Sequence, residues 1–263
     1  MVLAGPPKET NVLSLFRLDG KVAVVTGGTR GIGWDAAQAM AEAGANVALI
    51  YTSYPNPQDR VNEIKSLGVN CRAYQSNISD PDSISKTLDT VLADFGKIDI
   101  VLANAGICKH TDALEYTVEY WQKETDINIS GNFFTAQAAG RIFKKQGFGN
   151  LLFTTSISGS IVNLPQRQAA YNASKAAIIQ LAKSLAIEWI DFCRVNTLSP
   201  GYIETDMTAT NSQEMLDEWD RRTPARRMAT PAELKGGFLY LVSDASSYTT
   251  GIDLIIDGGY TAT

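Results

Sequence analysis

The chain has 263 residues, 44% of them hydrophobic and 19% charged, with a formal net charge of −5. These proportions exclude a disordered tail, a collagen-like repeat and a disulfide scaffold, and a net negative charge without clustered Lys and Arg excludes a partner held by phosphate neutralisation, so no nucleic acid is expected. The length suits a single α/β domain with a sizeable core.

Residues 1–17 read as an N-terminal extension and 18–263 as a single catalytic domain. Pro6, Pro7 and charged residues precede any sustained apolar run, which fits neither a signal peptide nor a membrane span. No membrane partner and a cytoplasmic location are expected. Cys71, Cys108 and Cys193 lie far apart, with no CxxC pair and no His-containing cluster, so reduced thiols and no metal are expected.

From Lys21 onward, short aliphatic runs alternate with segments of helical period. Strands are predicted at Val22–Thr26, Val47–Tyr51, Cys71–Gln75, Ile98–Ala103, Asn150–Thr155, Arg194–Leu198 and Ile252–Ile256, each apolar enough to be buried on both faces. Helices are predicted at Gly33–Ala43, Gln58–Leu67, Ser83–Phe95, Phe133–Lys145 and Ala169–Ile190, from apolar spacings of three and four. The expected fold is therefore α/β, a Rossmann-like doubly wound parallel sheet of about seven strands with helices on both faces. Thr205–Thr230 breaks the rhythm. It is polar, charged and bracketed by Pro200 and Pro231, and it predicts a substrate lid around 202–230.

The first strand runs into Thr26-Gly27-Gly28-Thr29-Arg30-Gly31-Ile32-Gly33 and then a helix, so bare N–H groups and the positive end of a helix can face a pyrophosphate. Tyr171 and Lys175 stand four apart on a predicted helix and share one face. An ammonium beside a phenol favours the phenolate and is expected to pull Tyr171 below the usual value of about 10. Ser156 and Ser158 end the preceding strand, at the sheet edge where ligands bind.

The spacing T-G-x-x-x-G-x-G, Asn104-Ala105-Gly106 after the fourth strand and Tyr171-Asn172-Ala173-Ser174-Lys175 later resemble the classical short-chain dehydrogenases/reductases, from about Leu18 to the C-terminus. Pro200-Gly201 and Asp257-Gly258-Gly259 extend the match. The resemblance implies a hydride transfer in which Tyr171 protonates the developing alkoxide, a serine holds that oxygen, and Lys175 binds the ribose hydroxyls and tunes the tyrosine. Strand-end alignment favours Ser156 for the serine, and we adopt it; the thirteen-residue spacing to Tyr171 points instead to Ser158, retained as a substrate contact. The resemblance gives Asn128 a backbone contact to a water beside the lysine. It also implies cofactor contacts from Gly27, Thr29, Arg30, Gly31, Ile32, Gly33, Asn77, Ile78, Asn104, Ala105, Gly106, Pro200, Gly201, Ile203 and Thr205. Asn77 stands where the family commonly has an aspartate.

Cofactor choice follows from charge. The second strand ends Ile50-Tyr51-Thr52-Ser53-Tyr54, with no carboxylate to hold a free ribose 2′-hydroxyl, and Arg30 can pair with a phosphate. NADP(H) is expected, with Thr52 and Ser53 as further donors. His110, the single histidine, borders the expected pocket as a substrate contact or a structural residue. Tyr116, Tyr120 and Trp121 read as packing of an interface helix, and Trp34 has no reading beyond packing.

Glu188-Trp189, Asp191-Phe192-Cys193-Arg194-Val195-Asn196 and Asn163-Leu164-Pro165-Gln166 look like the fungal polyol and ketose branch, which implies a small ketose or polyol substrate. Ketones of secondary metabolites are the rival substrates, and a non-catalytic NADP(H)-binding sensor is the rival role. The apolar circumference of Ala169–Ile190 predicts a subunit contact, and the resemblance implies a homotetramer.

Overall fold

A computed structural model describes residues 10–262; positions 1–9 of the expected N-terminal extension lie outside the described residues. Seven parallel strands form one sheet: β1 (Val22–Thr26), β2 (Asn46–Tyr51), β3 (Cys71–Gln75), β4 (Ile100–Ala103), β5 (Asn150–Thr154), β6 (Arg194–Pro200) and β7 (Asp253–Ile256), in the order β3-β2-β1-β4-β5-β6-β7. Side chains alternate between the faces with the period of two that a strand imposes. Thus Ala23, Val25, Leu49 and Leu102 enter one apolar layer, and Val24, Ala48, Val101 and Phe153 the other.

Helices cover both layers: α1 (Gly31–Glu42), α2 (Pro57–Lys65), α3 (Pro81–Phe95), α4 (Val118–Thr125), α5 (Asn132–Gln146), α6 (Ala169–Glu188), α7 (Asp206–Ala209), α8 (Gln213–Arg222) and α9 (Lys235–Val242). The expected doubly wound sheet is therefore present. The chain winds outward on either side of β1, which opens a crevice beyond the carboxyl ends of β1 and β4, the place where such sheets receive ligands.

Four expectations need correction. Burial on both faces fails at the sheet edges, where Arg72 and Gln75 of β3 and Ile255 of β7 are exposed, because an edge strand has only one neighbour. β6 runs on to Pro200, since Ser199 and Pro200 still pair with Ile255 and Ile256, whereas β4 begins at Ile100, two residues later than expected. The stretch Thr205–Thr230 is not a bare polar excursion. It holds α7 and α8, and α8 buries Trp219. The helix α9 had no expected counterpart, α4 holds Tyr120 and Trp121 of the expected interface helix but begins after Tyr116, and a wide π turn over Asp126–Gly131 joins α4 to α5.

Candidate active site

The strand-to-helix turn after β1 is held open by close packing. A Cβ on Gly33 would lie 2.4 Å from both Asn104 Nδ2 and Gly27 O, so only glycine lets the helix start this near the sheet. Asn104 donates through Nδ2 to Thr26 O (3.0 Å), and the backbone N–H groups of Asn104 and Ala105 both donate to Thr26 Oγ1 (2.9 and 3.1 Å). The Asn104-Ala105-Gly106 loop is thereby stapled to the glycine turn. No side chain caps α1, which leaves first-turn N–H groups of Gly31, Ile32 and Gly33 as donors to an outside acceptor. Across the groove, Thr205 Cγ2 lies 3.7 Å from the point a Cβ on Gly31 would occupy. A dinucleotide pyrophosphate fits such a cradle.

Beyond it, Pro200 and Gly201 end β6 where Gly201 N donates to Ile256 O (2.9 Å), and Ile203 is buried in a lone parallel bridge to Ala229. On the other flank, Asn77 is exposed with Oδ1 accepting from Ser79 N (3.1 Å), and Ile78 is buried against Gly131.

The helix α6 brings Tyr171 and Lys175 to the end of β5, with Lys175 Nζ 5.4 Å from the centre of the tyrosine ring. Lys175 is buried and donates to Thr154 O (3.0 Å); burial draws its pKa down to about 8, against the opposing influence of Cys108 and Glu124. The expected lowering of Tyr171 by that ammonium is absent. Burial pushes the phenol above its usual value, Cys108 adds to this, and only the hydrogen bond with Ser156 works the other way. A phenol that keeps its proton is a donor, which suits protonation of an alkoxide.

The two serines differ in duty. Ser158 Oγ donates to Asn163 Oδ1 (2.7 Å) and accepts from Gln168 Nε2 (3.0 Å) and Ser156 Oγ (3.1 Å), so protein groups fill its capacity. Ser156 Oγ accepts from Ser158 N (3.1 Å) and reaches the phenol of Tyr171. Asn128 sits in the π turn, fully buried. Its side chain clamps Ile107 (Oδ1 from N, 2.9 Å; Nδ2 to O, 2.8 Å) and donates to Ser174 Oγ (3.2 Å), and its backbone carbonyl accepts from Asn132 Nδ2 (2.9 Å).

A residue that sequence reasoning missed stands at the far end of the crevice. Arg60 of α2 lies 4.3 Å over the Trp34 ring and 5.8 Å from that of Tyr54. Its Nε donates to Thr29 O (3.2 Å) and its Nη1 to Glu63 (3.0 and 3.1 Å), while Nη2 has no protein acceptor among the described residues. Arg30, Thr52 and Ser53 are exposed beside it, and Thr52 Oγ1 donates to Ser76 O (3.0 Å). The one signal available was Trp34 itself, an aromatic with no evident reason to stand at a glycine turn.

On the substrate side, Trp219 of α8 stacks on Tyr202 at 4.4 Å and donates through Nε1 to Gln166 Oε1 (2.9 Å), and Gln166 Nε2 donates to the Tyr202 hydroxyl (2.9 Å). His110 meets the edge of Trp219 at 6.0 Å, and burial lowers its pKa despite hydrogen bonds to Asn211 and Gln168. Tyr202, Gln166 and Trp219 had not been anticipated. They converge from three separate segments.

Residues 27–261 match the family model described as enoyl-(acyl carrier protein) reductase. A sorbose reductase of Candida albicans is 48% identical over 260 residues, spanning 97% of this chain and 92% of that protein. An NADP-dependent mannitol dehydrogenase of Hypocrea jecorina is 44% identical and spans 97% of both chains. The crystal structure of an NADPH-dependent 3-quinuclidinone reductase from Rhodotorula rubra superposes with a TM-score of 0.95 at 43% identity, covering 99% of this chain and 98% of that one. With the glycine turn, the Tyr171–Lys175 pair and a parallel sheet in common order, the chain belongs to the short-chain dehydrogenase/reductase family of oxidoreductases.

Proposed function

We propose that the protein is an NADPH-dependent ketone reductase working on a ketose–polyol pair of the sorbose, fructose or xylulose type. The observation that carries the reaction is the Tyr171 phenol hydrogen-bonded with Ser156 and one helical turn from Lys175, in a setting whose burial raises the pKa of the phenol. The relatives named for sorbose and mannitol support the sugar.

The bound nicotinamide supplies hydride. Ser156 holds the carbonyl oxygen and Tyr171 gives that oxygen its proton, while Lys175 orients the ribose hydroxyls. Asn128 keeps the Ile107 loop and α6 in register. Gly27, Gly31, Ile32, Gly33, Asn104, Ala105 and Gly106 line the pyrophosphate and nicotinamide path, with Pro200, Gly201, Ile203 and Thr205 on its other wall. Asn77 and Ile78 flank the adenine. Arg30, Thr52 and Ser53, exposed beside the free Nη2 of Arg60, would meet the 2′-phosphate, with the buried Thr29 shaping the turn beneath them. His110 and the Tyr202–Trp219 pair wall the substrate side under a lid around 202–230. Ser158 positions Ser156.

We further place the protein in the cytoplasm, as a homotetramer. No helix of the described residues is long and apolar enough to cross a membrane, and the three cysteines are unpaired. Purified protein should oxidise NADPH, read by absorbance, in the presence of fructose, sorbose or xylulose, and Tyr171→Phe should lower kcat about 10²–10⁴-fold. Turnover confined to bicyclic or aromatic ketones would replace the ketose by a secondary-metabolite substrate, and cofactor binding without any turnover would make the chain a sensor.

A further inference from the structure

Asn163, Gln168 and Ser158 are buried together behind Ser156, where every polar atom has to find a protein partner. Asn163 comes from the loop between the short turn Ile157–Gly159 and α6. Gln168 stands at the head of α6, yet its side chain does not cap that helix and turns inward instead.

The neighbours of the two amides fix which atom each presents. Cys108 Sγ donates to Gln168 Oε1 (3.6 Å), so Nε2, with its two protons, faces Ser158 Oγ (3.0 Å), Asn172 Oδ1 (2.9 Å) and, further off, Asn163 Oδ1 (3.5 Å). An amide nitrogen on that side requires the oxygen of Asn163 to face inward, and the Asn163 nitrogen turns out towards the Tyr202 hydroxyl (3.5 Å). A carboxamide oxygen can only accept, and Asn163 Oδ1 takes the one proton of Ser158 at 2.7 Å.

Those contacts decide the sense of a hydrogen-bond chain. With its proton on Asn163 and one lone pair on Gln168, Ser158 has a single lone pair left, and Ser156 Oγ donates to it at 3.1 Å. Ser156 Oγ already accepts from Ser158 N (3.1 Å), so a second lone pair is what it offers the Tyr171 phenol, with which it is hydrogen-bonded. The phenol is then the donor, and each hydroxyl proton from Tyr171 to Ser158 points towards Asn163. Were Ser158 to donate to Ser156, the Ser156 oxygen would have no lone pair for Tyr171. Its proton would turn onto the phenol oxygen, and the phenol proton would point away.

We propose that Asn163 and Gln168 are positioning residues for the reduction: by making Ser158 an acceptor, they hold the Ser156 and Tyr171 hydroxyls with both protons ready for a carbonyl oxygen arriving beside them. This rests on the ketone-reductase reading. The arriving oxygen receives both protons as hydrogen bonds through rotation of two hydroxyls. Hydride then forms the new C–H bond, and the Tyr171 O–H bond breaks as the O–H bond of the alcohol forms.

Position 163 must supply an oxygen and position 168 an N–H, so isosteric carboxylates should act oppositely at the two. Asn163→Asp keeps the acceptor and should hold kcat near the parental value, whereas Asn163→Leu should lower kcat about 10–10²-fold and leave the KM for NADPH unchanged. Gln168→Glu should lose a similar factor at neutral pH and recover as pH falls. A carboxylate among the oxygens of Ser158, Asn163 and Asn172 takes up its proton above the usual carboxylate range and, once protonated, can donate to Ser158. The harm in Asn163→Leu comes from a Ser158 proton turned onto Ser156, so adding Ser158→Ala should restore most of kcat even while the double variant melts lower. Damage to packing alone would follow the melting temperature, whichever group is introduced. Three results each overturn the proposal: Asn163→Asp as slow as Asn163→Leu, a double variant no faster than Asn163→Leu, or Gln168→Glu whose activity relative to the parent does not change with pH. Should Asn163→Leu fail to fold, the two carboxylate variants decide. A parent inert towards every ketone overturns the reductase reading and this proposal with it, whereas an active parent in which the two carboxylates act alike overturns the proposal alone.

Discussion

Two serines, two residues apart, differ in what their hydrogen bonds leave free, and the proposed division between meeting a substrate and holding a wall rests on that difference. Ser158 has its donor and both acceptor positions occupied by Asn163, Gln168 and Ser156, and a hydroxyl so engaged has nothing to offer a carbonyl. Ser156 can redirect its proton. Ser156→Ala should therefore lower kcat/KM about 10²–10³-fold, in the range for loss of an oxyanion donor. Ser158→Ala should chiefly lower stability, by about 1–3 kcal/mol, through the amide groups it leaves unpaired. Steady-state kinetics alongside thermal melts will separate the two, and equal losses of kcat/KM would reverse the assignment. The Tyr171 phenol follows from the same local accounting. Removal from water outweighs the nearby ammonium, whose own proton is spent on Thr154 O and weakened by burial.

Between elements, α1 and α2 meet through Trp34 and Arg60, and that contact aims a guanidinium at the glycine turn. Arg60→Ala should raise the KM for NADPH about tenfold or more, the size of one lost charged hydrogen bond, with NADH kinetics unchanged. Equal effects on both dinucleotides would make the arginine a structural strut. The strands and the long helices were legible in the letters because a strand buried on both faces is a short unbroken aliphatic run, while a long helix carries a period of 3.6 that burial enforces along its whole length. The helix α4 showed only through its aromatics and without bounds, since it buries only Glu124 and has no apolar stripe, and α8 hides behind a single tryptophan. The site divides in the same way. Tyr171 and Lys175 were readable because a helix alone sets their spacing, whereas Arg60 meets the glycine turn, and Tyr202, Trp219 and Gln166 meet one another, only through folding. The choice between Ser156 and Ser158 needed hydrogen-bond partners that no spacing encodes.

For the molecule as a whole, a groove between α5 and α6 is lined by Phe133, Gly140, Leu185, Trp189 and Phe192 together with Gln137, Arg141, Lys144 and Glu188, with Ile187 74% exposed nearby, and the proposed subunit contact would cover this apolar floor and polar rim. Sedimentation at micromolar concentration should show a tetramer, and a monomer would remove the inference. The segment from Tyr202 to Thr230 is closed at its base, where Ile203 bridges Ala229, Glu204 N donates to Ala229 O and Ala229 N donates to Tyr202 O, and it meets the C-terminal turn where Ala225 N donates to Gly258 O (3.1 Å). One leg of that base follows β6 and the other leads on to α9, so a tilt about this paired base is the motion that the proposed lid would use. Trp219 would be the latch of such a lid: its indole Nε1 donates to Gln166 Oε1, outside the segment, and a tilt of the flap would have to part that bond while β6 stays paired with β5 and β7.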